Sequence, residues 1–144
     1  MQSILFVLLA GLGLMSVKAQ NSSSDEAAIK QVITSFSTEG DAQNVAALEP
    51  LLHDAYRVVF NRAFGTEETK VFNREQYLSM ITQKKIGGDT RKVTFLQVDI
   101  HDHIATAKVE LNGSKANFTS YFSLVKSPTG TWQLVGDMPI AVFK

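Results

Sequence analysis

The chain of 144 residues contains no cysteine. That excludes disulfides, thiol catalysis, Cys-based zinc sites and a lipoprotein anchor, which needs a cysteine at its cleavage point. Excess charge of either sign is also missing, with 14 basic against 14 acidic residues. Lys84-Lys85 and Arg91-Lys92 are isolated basic pairs, so the clustered positive face that nucleic acid demands is absent. Proline is scarce, at 3 residues, which leaves long elements uninterrupted. The longest apolar run, Ile4–Leu14, has 11 residues, too short to span a bilayer. Spanning takes about 20. No cofactor motif, internal repeat or low-complexity tract is present.

The apolar run has the form of a secretory leader. Val17-Lys18-Ala19 offers a small-residue cleavage site after Ala19, although Met1-Gln2-Ser3 lacks the usual basic side chain. The expected division is a signal peptide over 1–19, a loose polar start over 20–24 and one domain over 25–144. The expected location is secreted or periplasmic, with no membrane contact after cleavage. Roughly 125 mature residues can hold a fold without disulfides, because a domain of that size buries about two-thirds of its unfolded surface. Asn21, Asn112 and Asn117 begin Asn-x-Ser/Thr acceptor motifs.

Periodicity places helices first. Ser24 or Asp25 is the expected cap of a first helix with Ala28, Ile29, Val32, Ile33 and Phe36 on one stripe, ending at Gly40-Asp41. A short second helix from Asn44 carries Val45, Leu48, Leu51 and Leu52, closed by His53-Asp54. Ala55–Phe64 reads as a strand, Gly65–Thr69 as a turn, and Val71-Phe72 as a short strand. Asn73 with Gln76 forms a capping box ahead of a third helix with Tyr77, Leu78, Met80 and Ile81. Gly87-Gly88 stops it.

The last third is strand-forming. Four runs, RKVTFLQVDI, IATAKVELN, KANFTSYFSLVK and TWQLVGDM, are separated by short turns and form an antiparallel meander. Asn112-Gly113 is expected to turn through positive φ. Met138-Pro139 is expected to interrupt the last strand. Several runs are apolar on both faces, so the sheet is expected to cover helices with one face and a second copy with the other.

The order helix–helix–strand–helix–meander resembles the nuclear transport factor 2-like, or cystatin-like α+β, superfamily over about Asp25–Val135. The resemblance rests on the segment from Gly40-Asp41 through Val45–Leu52 to His53-Asp54-Ala55, on Ile104–Val109, and on Asn117–Lys126 with Pro128–Leu134. Within the superfamily the chain is similar to the small "putative lumazine-binding" and SnoaL-like groups. The resemblance implies three helices on a strongly curved antiparallel sheet, forming a cone with a pocket. It also implies a choice among isomerases, cyclases, dehydratases and non-catalytic binders, since this fold does not fix function. The ketosteroid isomerases' first-helix Tyr falls near Phe36 here, and their strand Asp near Val59-Phe60. Neither position can serve. The expectation is therefore binding without turnover of a small apolar or aromatic ligand, or of a partner, in a homodimer. A cone filled with side chains would instead make an interaction module.

Candidate site residues follow from chemistry. Tyr56, Phe60, Tyr77, Tyr121 and Trp132 offer apolar area, most with a polar tip, and are the expected ligand contacts. His101 and His103 could share a strand face and chelate a metal, but no third ligand is spaced to join them. His53-Asp54 could pair a base with its orienting carboxylate, though neighbours in sequence usually diverge. Asp99 and Asp137 are expected at the surface. No catalytic or metal-binding residue is assigned.

Overall fold

The computed structural model describes residues 13–63 and 65–144, with side chains from residue 22 onward. The order is α1 (Gly13–Asp41), α2 (Val45–Leu48), a 3-10 turn (Glu49–Leu51), β1 (Leu52–Asn61), β2 (Thr69–Asn73), α3 (Arg74–Thr82), β3 (Lys92–His101), β4 (Ile104–Asn112), β5 (Ala116–Lys126) and β6 (Trp132–Phe143). The strands form one six-stranded sheet in the order β2-β1-β6-β5-β4-β3. All neighbours are antiparallel except β1 with β6, which run parallel. The sheet is curved and unclosed, and the helices pack on its inner face, as expected for the α+β cone.

Helix α1 starts well before the expected cap. No Gly or Pro lies between Met15 and Asp25 to break it. Asp25 is not a cap: its carboxylate accepts from Lys126 Nζ at 2.7 Å and from the Trp132 indole at 2.9 Å. Ala19, the expected cleavage point, falls within this helix, and most of the Ile4–Leu14 run lies outside the described residues. No described helix is long and apolar enough to cross a membrane. Ile29, Ile33, Phe36, Ser37 and Gly40 form the buried stripe of α1 at spacings of three and four. Helix α3 begins at the expected capping box, with Asn73 and Gln76 exchanging bonds of 2.9 Å.

The core lies between this stripe, α3 and inward strand residues. Tyr56 and Val58 of β1 meet Ala105, Ala107, Val109 and Leu111 of β4, Phe122 and Leu124 of β5, and Leu134 of β6. Two bulges decide which face later residues take. One sits between Phe95 and Gln97 of β3, the other opposite Ser123 and Leu124, at Val135 of β6. Each shifts the alternation by one residue. After the second bulge, Asp137 and Pro139 turn inward, while Met138, Ile140 and Val142 turn outward and are exposed.

Strand β6 is not interrupted at Met138-Pro139. It continues to Phe143, with Pro139 opposite Ser120. The register with β1 ends at Asp137, so proline sits where only one strand flanks β6. The Asn112-Gly113 turn also differs from expectation, since neither residue has positive φ. Gly113 is needed for space instead. A Cβ there would stand 2.1 Å from Oδ2 of Asp89.

Candidate functional site

The open end of the cone holds a cavity of about 220 Å³. Phe36, Gly40 and Asp41 reach it from the end of α1, and Tyr77 and Ile81 from α3. Val58, Phe60, Leu111, Ala116, Phe118, Ser120, Asp137, Pro139 and Phe143 line it from the sheet. Lys85, Asp89, Arg91 and Lys115 stand at the mouth. The lining is mainly apolar, with a few polar groups placed within it, as small-molecule sites require.

Aromatic packing builds one wall. Phe36 stacks on Tyr77 with ring centres 5.7 Å apart, and Tyr56 meets Tyr77 edge-on at 5.5 Å. Phe122 supports Phe36 from below in a T-shaped contact at 5.7 Å. Such pairs contribute about 0.5–1.5 kcal/mol each beyond area burial, so the rings support one another without a ligand.

Arg91 ties the end of α1, next to this wall, to the sheet. Its Nε donates to Asp41 Oδ1 at 2.6 Å, and its backbone N–H donates to Asp41 Oδ2 at 2.9 Å. Its guanidinium also covers the Phe118 ring, 5.5 Å from the centroid. Asp89 locks the mouth from the loop before β3. It accepts from the backbone N–H groups of Thr90, Ser114 and Lys115 and from the Ser114 hydroxyl, at 2.7–3.1 Å. These donors hold its carboxyl well below the usual carboxylate range.

Asp137 is a buried acid inside the cone. No described protein group bonds to its Oδ1. Loss of solvent pushes its carboxyl up to about 7, against opposing pulls from the Ser120 hydroxyl and Arg91. The expected surface position of Asp137 is therefore corrected: the Val135 bulge rotates it inward. Burial, with the Asp137 charge nearby, raises the Tyr56 and Tyr77 phenols well above their ordinary value. The Tyr56 hydroxyl is likewise buried without a described partner. A neutral acid and two neutral phenols can donate or accept hydrogen bonds, and only the acid can shuttle a proton near neutral pH.

The residues expected from sequence separate in space. Phe60 and Tyr77 line the cavity, and Tyr56 packs behind Tyr77. Trp132 lies at the far end of β6, buried over Lys126 and bonded to Asp25. Tyr121 is on the outer face, half-exposed beside Lys108. His101 and His103 are exposed on the β3–β4 hairpin, with His103 3.4 Å from Asp102. His53 accepts from the Ala55 N–H at 3.0 Å, outside the cavity, and Asp99 is exposed. Among the described residues, no three His, Cys, Asp or Glu side chains gather as a metal site.

The cone with a pocket at its open end defines the class: a nuclear transport factor 2-like α+β protein. The chain is similar to a nuclear transport factor 2-like protein of unknown function from Silicibacter pomeroyi, with a TM-score of 0.72 and 16% identity over 84% of this chain and 98% of that one. A second such protein, from Shewanella baltica, gives 0.73 and 16% identity over 85% and 97%. A ketosteroid isomerase-like protein from Erwinia carotovora gives 0.66 and 15% identity over 82% and 96%. No curated protein matches the sequence. Residues 15–138 match the family described as "Putative lumazine-binding", and the chain belongs to that family.

Proposed function

We propose that the cone binds a compact, largely apolar small molecule whose hydrogen-bonding edge meets Asp137. The observation that carries this reading is a cavity of about 220 Å³, apolar for the most part, with a buried acid whose Oδ1 is unbonded among the described residues. The volume lies below the roughly 300–1,000 Å³ of drug-sized sites, so the ligand is small. A lumazine, the heterocycle in the family description, has the required flat ring and polar edge. Phe60 and Tyr77 are the proposed apolar contacts, with Tyr56 supporting them. The open cavity also argues against a cone filled by its own side chains.

A second reading has one observation in its favour. An acid held near pH 7 inside a mainly apolar pocket suits general acid–base chemistry. On that reading the chain is an isomerase, cyclase or dehydratase with Asp137 as the proton carrier. Binding ranks first because the phenols beside Asp137, Tyr56 and Tyr77, are raised well above their ordinary value and stay neutral near pH 7.

Two further parts of the proposal concern setting. The protein is exported after cleavage at Ala19, on the strength of the apolar run and Val17-Lys18-Ala19. It pairs with a second copy through the outer sheet face, where Tyr121, Met138, Ile140 and Val142 are exposed.

Native mass spectrometry of protein purified from its own host tests the binding claim. The expected result is a small molecule that stays with the folded chain and leaves on denaturation. Bare protein, together with no thermal shift from lumazine or other small aromatics, would contradict it.

A further inference from the structure

The charged groups at the mouth of the cone are not balanced. Besides Asp137, five charged residues line the cavity: Lys85, Asp89, Arg91 and Lys115 at the mouth and Asp41 beside Arg91, three cations against two acids. Both acids are already engaged. Asp41 is held by Arg91 through the guanidinium and the backbone N–H. Asp89 is saturated by three backbone N–H groups and the Ser114 hydroxyl. The two lysines are not matched in this way. The Lys115 ammonium donates to the neutral Gly88 carbonyl at 3.0 Å, and neither Lys115 nor Lys85 belongs to an ion pair among the described residues.

The two cations also come from different elements. Lys85 follows α3, and Lys115 sits on the β4–β5 turn. The Asp89 bonds to Ser114 and Lys115 tie that turn to the loop after α3, which fixes the two sides of the mouth against each other. Beyond them, the interior is apolar as far as Asp137. A cleft with low-dielectric walls focuses the field of charges at its rim. An ammonium recognises carboxylate and phosphate alike as a point charge.

We infer that the ligand carries a negatively charged substituent, a carboxylate or a phosphate, which Lys85 and Lys115 hold at the mouth while its ring lies in the cone. This rests on the binding reading above and adds the ligand's charge class to it. The ligand is then an anionic amphiphile: polar edge inside, apolar ring between, anion outside. A neutral molecule would leave both lysines without an ion-pair partner, and a cation would be repelled.

Matched naphthyl probes test the inference by fluorescence titration at pH 6 and low salt. The set is naphthoate, naphthyl phosphate, the neutral naphthyl methanol and the cationic naphthyl methylamine. One or both anions should bind about tenfold more tightly than the alcohol, and the amine more weakly. Whichever anion leads identifies the headgroup. Added salt should erase the preference. In the double variant Lys85→Gln, Lys115→Gln, the anion-to-alcohol ratio should fall to about one. The control Lys70→Gln, an exposed change on β2, should keep it. Circular dichroism on each variant confirms that the fold persists. Equal binding of anion, alcohol and amine would overturn the charge assignment and leave the pocket standing. No binding by any probe would overturn the pocket reading and this inference together.

Discussion

Asp137 and Asp25 make opposite contributions to stability as pH changes. Asp137 keeps its proton in the folded state up to about pH 7, whereas an unfolded carboxyl releases it near the ordinary value of 3.8. Its contribution is therefore fully present below pH 3.8 and lost as pH rises towards 7. A difference of that size corresponds to roughly 4 kcal/mol as an upper figure. Asp137→Asn should consequently raise the urea midpoint at pH 8 and change it little at pH 4. An equal effect at both values would mean the acid is ionised in the fold. Asp25 works the other way. Its bonds to Lys126 and to the Trp132 indole lower its carboxyl, so its contribution is present above pH 3.8 and fades in acid. Asp25→Ala also leaves a buried indole N–H unpaired. Chemical denaturation at pH 7 should show a loss of about 1–3 kcal/mol. Asp25→Asn, which keeps an acceptor, should cost less.

At the scale of elements, bulges and turns decide what could be read in advance. The helices were legible because Ile29, Ile33 and Phe36 keep one period, and because Asn73 and Gln76 form a local cap. The meander was legible from alternation. Asp137 was not, because strict alternation from Trp132 and Leu134 sends it outward. The extra residue at Val135 reverses that, and the only local hint is Gly136, since glycine inside a strand often accompanies a bulge. The β3 bulge acts in the same way, bringing Val98 and Ile100 to the face of Val93 and Phe95 and sending Asp99 to solvent. Glycines give an element-scale test. Gly113→Ala would press a methyl into the fully bonded Asp89 carboxylate, while at Gly136 a Cβ meets Ser123 at an ordinary 3.6 Å. Thermal denaturation should show Gly113→Ala destabilised by about 1–3 kcal/mol. Gly136→Ala should stay within about 0.5 kcal/mol of the parent. Comparable losses would mean the β4–β5 turn is free to move.

At the scale of the whole molecule, the described residues leave an apolar cavity and an apolar outer sheet face after the core is filled. The outer face was legible as strands apolar on both sides. The cavity's lining was only partly so, because Tyr121 and Trp132 have the same chemistry as Tyr77 and differ only in position. If the outer face pairs two copies, Ile140→Glu should convert a dimer to a folded monomer in light scattering at micromolar concentration. A parent protein that is already monomeric would remove the dimer proposal. The central claim concerns the inner surface, that a small ligand enters the cone and lies against Asp137. The most direct measurement is NMR chemical-shift mapping of the isotope-labelled protein titrated with lumazine and naphthoate. The account predicts shifts concentrated on Phe36, Phe60, Tyr77, Phe118 and Asp137, with saturation. Shifts confined to the outer face around Tyr121, Met138 and Ile140, or none at saturating ligand, would contradict it.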